Sequence, residues 1–187
     1  ALDRAVAMLR AEALRTCFAP EDLNSRASPP QEEVLRGIQK YLIRYCVSGN
    51  QGGKTTLAIR ELTWLLTDSH PYFEIPEEWG VGARTYIVAG QDRSQLENMW
   101  QTRILPFLNK DEWKEIRSGS ALQSVQHRER GDQIIFMSHN NSSENDIKHM
   151  QYYSAHWVWV DEMPKSPRVL EELQRRVDAR RGRFLCT

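Results

Sequence analysis

Hydrophobic positions follow two alternating patterns along the chain. Short runs of β-branched and aromatic residues predict strands at residues 41–47, 85–89, 156–160 and 183–187. Between these runs, apolar residues at three-to-four spacing predict helices at residues 31–40, 55–66, 92–108 and 167–180. Strands that alternate with helices in this way predict an α/β fold whose sheet is mainly parallel and flanked by helices.

The remaining segments predict a further helix, a linker and a hairpin. Residues 1–18 repeat apolar side chains at helical spacing, and the proline- and serine-rich residues 19–30 form a linker signal. Two short strands at residues 124–126 and 133–138 flank a charged turn. We therefore expect an N-terminal amphipathic helix with its linker at residues 1–28 and one α/β domain at residues 29–187.

A glycine-rich octet joins the first of these strands to the helix at residues 55–66. It matches the P-loop pattern G-x-x-x-x-G-K-[ST] except at its first position, where serine replaces glycine. Backbone N–H groups of such a loop surround phosphates, and the start of the following helix adds a positive field. A polar surface turn is the alternative, but such a turn would not require a strand before it and a helix after it. The predicted nucleotide-binding residues are Ser48, Gly49, Asn50, Gln51, Gly52, Gly53, Lys54, Thr55 and Thr56.

Two adjacent carboxylates, Asp161 and Glu162, follow the buried strand at residues 156–160. Acidic residues also favour helix N-termini, so by themselves they are a weak signal. Because strand ends converge at one crevice of a parallel sheet, these acids and the P-loop can share one Mg-ATP. We expect Thr55 and Asp161 to hold Mg²⁺, Lys54 to bind phosphate, and Glu162 to activate the attacking water.

Composition narrows the function classes. The 187 residues are 40% hydrophobic, which is enough for one core, and 25 basic residues balance 25 acidic ones. Binding of a polyanion such as a nucleic acid would therefore require a local basic patch on the surface. Cys17, Cys46 and Cys186 form no C-x-x-C pair, which favours reduced thiols in a cytosolic setting. We expect neither a secretion leader nor a membrane span, and we interpret the chain as a fragment of a longer protein.

Together, the motifs resemble the ATPase domain of large terminase subunits of tailed bacteriophages, the motors that package viral DNA. The resemblance covers most of residues 29–187 and rests on the P-loop, the segment that ends at Glu162, and the final Leu185-Cys186-Thr187. It implies a P-loop NTPase fold of the ASCE type, in which the coupling strand lies between the Walker A and Walker B strands. Cys186 and Thr187 would form the coupling motif, with Thr187 facing the γ-phosphate. A frayed chain end is the alternative interpretation of Thr187.

The resemblance also implies an adenine-reading glutamine. Gln31 follows Pro29-Pro30 upstream of the P-loop, and its amide offers the donor and the acceptor that an adenine edge requires. The start of a surface helix is the alternative interpretation of Gln31.

A motor of this family would act with several partners in the host cell cytoplasm. They are double-stranded DNA, the portal and procapsid, the small terminase subunit, and identical subunits in a ring. No membrane is implied. The family's nuclease domain has no counterpart here. A P-loop helicase, or a nucleotide-gated ring-assembly module with little hydrolysis of its own, would carry the same two motifs.

One departure from the family concerns arginine. Family P-loops often carry an arginine near their start, where this chain has Asn50 and Gln51. An arginine finger must then come from elsewhere, for example from a neighbouring subunit. The candidates, which could also contact DNA phosphates, are Arg128, Arg130, Arg175, Arg176, Arg180 and Arg181. Solvated charges of a helix or a turn are the alternative interpretation for most of them.

Overall fold

The computed structural model describes residues 27–47, 53–80, 82–140, 147–148 and 150–187. The predicted N-terminal helix, most of the predicted linker and the P-loop residues Ser48, Gly49, Asn50, Gln51 and Gly52 lie outside the described residues. Within the described residues, no helix is both long and apolar enough to cross a membrane.

A single sheet organises the described part of the chain. Seven strands run in the order β1-β7-β6-β2-β5-β4-β3. Their bounds are Ile43–Tyr45 (β1), Thr85–Gly90 (β2), Trp113–Ser118 (β3), Ala121–His127 (β4), Gln133–Ser138 (β5), Trp157–Val160 (β6) and Arg183–Cys186 (β7). The first five strands in this order, β1, β7, β6, β2 and β5, pair in parallel. The last two pairings, β5 with β4 and β4 with β3, are antiparallel. The predicted mainly parallel sheet is confirmed, with β7 between β1 and β6 as an ASCE-type fold requires.

Helices cover both faces of the sheet. The longer α-helices of the described residues are Pro29–Lys40 (α1), Lys54–Leu66 (α2), Arg93–Met99 (α3) and Pro167–Asp178 (α4). Side chains of α1, α2 and α3 join one apolar core, and side chains of α4 join the other. Strand β6 supplies both cores because its side chains alternate: Trp157 and Trp159 point to the first, and Val158 and Val160 to the second.

The prediction of one continuous helix over residues 92–108 is wrong. Helix α3 ends at Met99 and passes into a π-helical turn, Trp100–Ile104, and then a 3₁₀ turn, Leu105–Phe107. Pro106 lies in that last turn, where its missing N–H prevents an α-helix from continuing. The chain direction therefore changes before residue 108.

Strand β3 has no counterpart among the strands that the sequence pattern predicts. Its WKEIRS sequence is largely exposed because β3 is an edge strand with one solvated face. Strand β4 is longer than predicted because it pairs with β3 on one side and β5 on the other. The predicted hairpin of β4 and β5 is confirmed.

Candidate nucleotide-binding site

A cleft of about 930 Å³ opens where the carboxyl ends of β1, β7 and β6 meet the start of α2. This is the edge of a parallel sheet at which ligands bind in folds of this type. The predicted site residues that line the cleft are Gly53, Lys54, Thr55, Thr56, Asp161, Glu162, Cys186 and Thr187. Two motifs that are far apart in sequence therefore share one cavity.

The start of α2 depends on Gly53. This residue caps the helix in the left-handed conformation, with φ of 71°, and its carbonyl accepts a hydrogen bond from the N–H of Leu57. A side chain is disfavoured at such a φ. A methyl group at Gly53 would also lie 2.6 Å from Nε2 of Gln31. Glycine thus allows Lys54 and Thr55 to begin the helix directly against α1. The N–H groups of a helix's first turn have no acceptor within the helix, so they are suited to phosphate.

Gln31 has a structural role at the start of α1. Its Oε1 accepts hydrogen bonds from the backbone N–H and the hydroxyl of Ser28, both at 2.9 Å. Gln31 also lines an adjoining cleft of about 550 Å³ that shares Tyr45, Cys46 and Val47 with the first. The side chain is therefore a helix cap that lies beside Gly53, and its adenine-reading role stays a prediction.

Asp161 lies at the centre of a hydrogen-bond network. Its Oδ1 accepts a hydrogen bond from the hydroxyl of Thr55 at 3.1 Å and another from the hydroxyl of Thr187 at 3.2 Å. Burial raises the pKa of Asp161, and the two hydroxyls lower it in part. The negative charge of Glu162 raises the pKa of Asp161 further, whereas the positive charge of Arg103 lowers it.

The oxygens of Thr55 and Asp161 fit Mg²⁺. This cation is usually held in proteins by one or two carboxylates together with substrate phosphates. A hydroxyl and a carboxylate oxygen 3.1 Å apart, facing a cleft with a lysine, supply such a protein-side set of ligands. Within the described residues, no group of three or more His, Cys, Asp or Glu forms a metal site. A cation at Thr55 and Asp161 would therefore depend on nucleotide oxygens.

Glu162 adopts a strained backbone conformation beside this network. Its φ is 65°, in the left-handed region, and its N–H donates to the carbonyl of Thr187 at 3.0 Å. The side-chain amide of Gln91, directly after β2, donates to Oε2 of Glu162. The carboxylate is thus positioned from two neighbouring strand ends. Gln91 carries no sequence motif, and only the sheet order reveals its proximity to Glu162.

The predicted coupling residues join this network from β7. The hydroxyl of Thr187 accepts from Nε1 of Trp159 at 3.0 Å, and its N–H donates to the carbonyl of Val160 at 3.0 Å. Burial raises the pKa of the Cys186 thiol to about 11, and burial also raises the pKa of Cys46. Both thiols are free, in agreement with the sequence-based expectation for them. Cys17 lies outside the described residues.

The arginines predicted as fingers do not line this cleft. Arg128 and Arg130 lie in the turn that precedes β5, and the carbonyl of Arg176 accepts from Ala155, just before β6. These positions are at the amino ends of the strands, opposite to the cleft. Arg130 is paired with Asp132 there. Because of this position, these three arginines do not reach a nucleotide phosphate in the cleft of their own subunit. A role toward another subunit or toward DNA stays a prediction.

Solved structures with a similar fold include large terminases of bacteriophages. The HK97 bacteriophage large terminase matches with a TM-score of 0.61 and 13% identity, over 95% of this chain and 37% of that one. A large terminase from a thermophilic bacteriophage, in complex with ADP, matches with a TM-score of 0.57 and 16% identity, over 85% of this chain and 38% of that one. This chain has the fold of a large terminase ATPase domain.

A third match is limited to that domain. A mutant of the Thermus phage P74-26 large terminase ATPase domain gives a TM-score of 0.52 and 13% identity, over 88% of this chain and 65% of that one. The chain spans little more than a third of the two large terminases named above. No protein-family model matches the sequence, and no curated protein matches it. At identities of 13 to 16%, these matches show a shared fold.

Proposed function

We propose that this chain is the ATP-hydrolysing motor domain of a viral large terminase and powers translocation of double-stranded DNA into a procapsid. One observation carries the proposal: Lys54 at the start of α2 and the pair Asp161 and Glu162 at the end of β6 line the same cleft. The hydroxyl of Thr55 bonds to Asp161 across that cleft, so the two motifs are already joined.

The residues of the cleft divide the chemistry of hydrolysis among them. Lys54 and the N–H groups at the start of α2 bind β- and γ-phosphate oxygens. Thr55 and Asp161 would hold Mg²⁺, which would supply neutralisation of the phosphate charge. Glu162 accepts a proton from water as the water oxygen bonds to the γ-phosphorus. The bond from that phosphorus to the leaving oxygen of ADP breaks, which releases phosphate.

Thr187 gives β7 a direct link to this chemistry. Its hydroxyl donates to Oδ1 of Asp161, so a displacement of the Asp161 side chain on hydrolysis would be passed to the end of β7. In the proposed motor this link would carry the state of the nucleotide to the surface that moves DNA. The ring of identical subunits, the portal, the small terminase subunit and the host cytoplasm belong to the same proposal, supported by the fold of large terminases.

Single-turnover hydrolysis with protein in excess over Mg-ATP tests the proposal. Glu162→Gln is expected to bind ATP with unchanged affinity but to release phosphate at least about a hundredfold more slowly, because the general base is lost. Glu171→Gln, on the exposed face of α4, is the matched control and should retain the wild-type rate. Equal rates for Glu162→Gln and the wild type would contradict the assignment.

The same assay separates the two alternatives. A helicase-like ATPase would be stimulated by single-stranded DNA, whereas the terminase motor should respond to double-stranded DNA with procapsid and portal. A nucleotide-gated assembly module would bind ATP and form a ring, yet hydrolysis would stay negligible with every partner present.

A further inference from the structure

A second basic side chain reaches the cleft from outside both motifs. Arg103 lines it together with Lys54, Asp161 and Glu162. It belongs to the π-helical turn Trp100–Ile104, which follows α3. Among the described residues that line the cleft, Lys54 and Arg103 are the basic ones. The cleft therefore receives positive charge from the start of α2 and from the segment that follows α3.

The π-helical turn explains why Arg103 faces the cleft. Trp100 and Ile104 are 1% and 0% exposed, and both belong to the apolar core beneath the sheet. At α-helical spacing, residue 103 would share the buried face of Trp100, since residues three apart are neighbours on a helix. The wider i→i+5 turn rotates Arg103 out of that face. Turns of this type within helices are frequent at functional sites.

The same turn fixes the backbone of Arg103 relative to the phosphate site. The π-helical turn packs against α2, the helix that begins at Lys54. Two rigid elements that contact each other thus present Lys54 and Arg103 to one cavity. The charge of Arg103 also acts on Asp161, which agrees with this placement.

The guanidinium group of Arg103 has no competing partner in the described residues. It makes no hydrogen bond or ion pair with another described side chain or carbonyl. In contrast, Arg117 in β3 donates to the carboxylates of Glu97 and Glu115. An exposed guanidinium with five uncommitted N–H donors matches the fixed geometry of phosphate oxygens.

We propose that Arg103 binds the γ-phosphate of ATP held in its own subunit and thereby distinguishes ATP from ADP. This inference rests on the proposed function. Lys54 would bind the phosphates from α2 and Arg103 from the π-helical turn, with the acids between them. Arg103 donates hydrogen bonds to the transferring phosphoryl group, and the proton of the attacking water still goes to Glu162. Its positive charge favours the transition state as negative charge shifts during transfer.

Nucleotide affinities of Arg103→Ala and Arg103→Lys test the inference. Isothermal titration calorimetry of the full chain would use Mg²⁺ with either ADP or a non-hydrolysable ATP analogue. Arg103→Ala is expected to lose about tenfold in affinity for the analogue and less than about twofold for ADP, with Arg103→Lys in between. Single-turnover hydrolysis should fall by about a hundredfold in Arg103→Ala. Arg117→Ala, on the edge strand β3 at the far end of the strand order from the cleft, is the matched control and should resemble the wild type.

The outcomes separate this inference from the function on which it rests. Equal losses for both nucleotides, or no loss for either, would overturn the assignment of Arg103 while the wild type still binds and hydrolyses ATP. A wild-type chain that binds neither nucleotide would overturn the proposed function, and this inference with it. Arg103 is exposed, so the variants should fold, and thermal unfolding followed by circular dichroism would verify this.

Discussion

Thr187 donates its hydroxyl hydrogen to Oδ1 of Asp161 at 3.2 Å and so connects the residue after β7 to the acid that follows β6. The same carboxylate oxygen accepts from Thr55 at the start of α2. Trp159 in turn donates to the hydroxyl of Thr187 from within the core. The carboxylate of Asp161 therefore joins the ends of β6 and β7 to the start of α2. A ligand that binds this carboxylate would affect all three elements.

Replacing Thr187 with valine removes this link while keeping the shape of the side chain. The indole N–H of Trp159 loses its acceptor, so the free energy of unfolding should fall by about 1–2 kcal/mol in urea titrations. Hydrolysis should slow by about tenfold because the orientation of Asp161 is less restricted. Thr187→Ser keeps the hydroxyl and should stay close to wild type in both assays. If serine is as damaging as valine, the hydrogen bond is not the cause.

Gly53 should tolerate no side chain. Gly53→Ala is expected to destabilise the fold by about 1–2 kcal/mol, because alanine is strained at positive φ, and to weaken Mg-ATP binding. The new methyl group would also press on Nε2 of Gln31.

Two further variants separate these causes. Gln31→Ala combined with Gly53→Ala should relieve the clash but leave the backbone strain. Gly82→Ala is the control, since a methyl group there meets no atom within 4 Å. Equal behaviour of Gly53→Ala and Gly82→Ala in thermal unfolding and nucleotide titration would contradict this prediction.

The ion pair of Arg44 and Glu61 is expected to hold β1 against α2. The two side chains are 5% and 0% exposed, and Nε1 of Trp157 donates to Glu61 at 2.7 Å. Arg44→Met should cost roughly 3–5 kcal/mol, because it leaves a buried carboxylate without its counter-charge. In the double variant with Glu61→Gln, the amide oxygen still accepts from Trp157 and no charge is left buried. Urea unfolding should therefore show a substantial recovery, and its absence would count against the pairing.

His70 is expected to make stability depend on pH. Burial among Trp64, Tyr72 and Phe73 lowers the pKa of His70 to about 4. Between that value and its ordinary pKa of about 6.5, the unfolded chain binds a proton that the folded chain does not. Stability should thus be complete above about pH 6.5 and fall as the pH is lowered toward about 4, by roughly 3 kcal/mol from His70.

Comparing His70→Phe with the wild type isolates this contribution. The free energy of unfolding of the variant should fall less steeply between about pH 7 and pH 5. Some slope should remain, since burial also lowers the pKa of His156. Identical slopes for the two proteins would show that His70 does not titrate as described.

The strands that carry the site could be predicted because their signals are local. Trp157 to Val160 is apolar on both faces, as a buried parallel strand must be, and Gly53-Lys54-Thr55 matches a motif with a known backbone geometry. Strand β3 has no such signal. Lys114, Glu115 and Arg117 are charged residues of a solvated edge strand, and the segment is a strand because it pairs with β4.

The position of Arg103 escapes prediction for a related reason. Trp100, Ile104 and Leu108 keep the spacing of an α-helical stripe, which conceals a change to i→i+5 hydrogen bonding. The side chains that such a turn redirects cannot be read from periodicity. Gln91 likewise depends on the order of strands in the sheet, which brings the end of β2 beside the end of β6.

Calorimetric titration of the full chain with Mg-ATP tests most directly whether Lys54 and Asp161 share one triphosphate. One site per chain is expected, with binding that weakens when Mg²⁺ is removed. Lys54→Ala and Asp161→Asn should each lower the affinity by at least about tenfold, since both bind the same ligand from opposite sides. Lys110→Ala, an exposed lysine far from the cleft, should leave affinity unchanged. Binding that survives both Lys54→Ala and Asp161→Asn at wild-type strength would contradict the shared site.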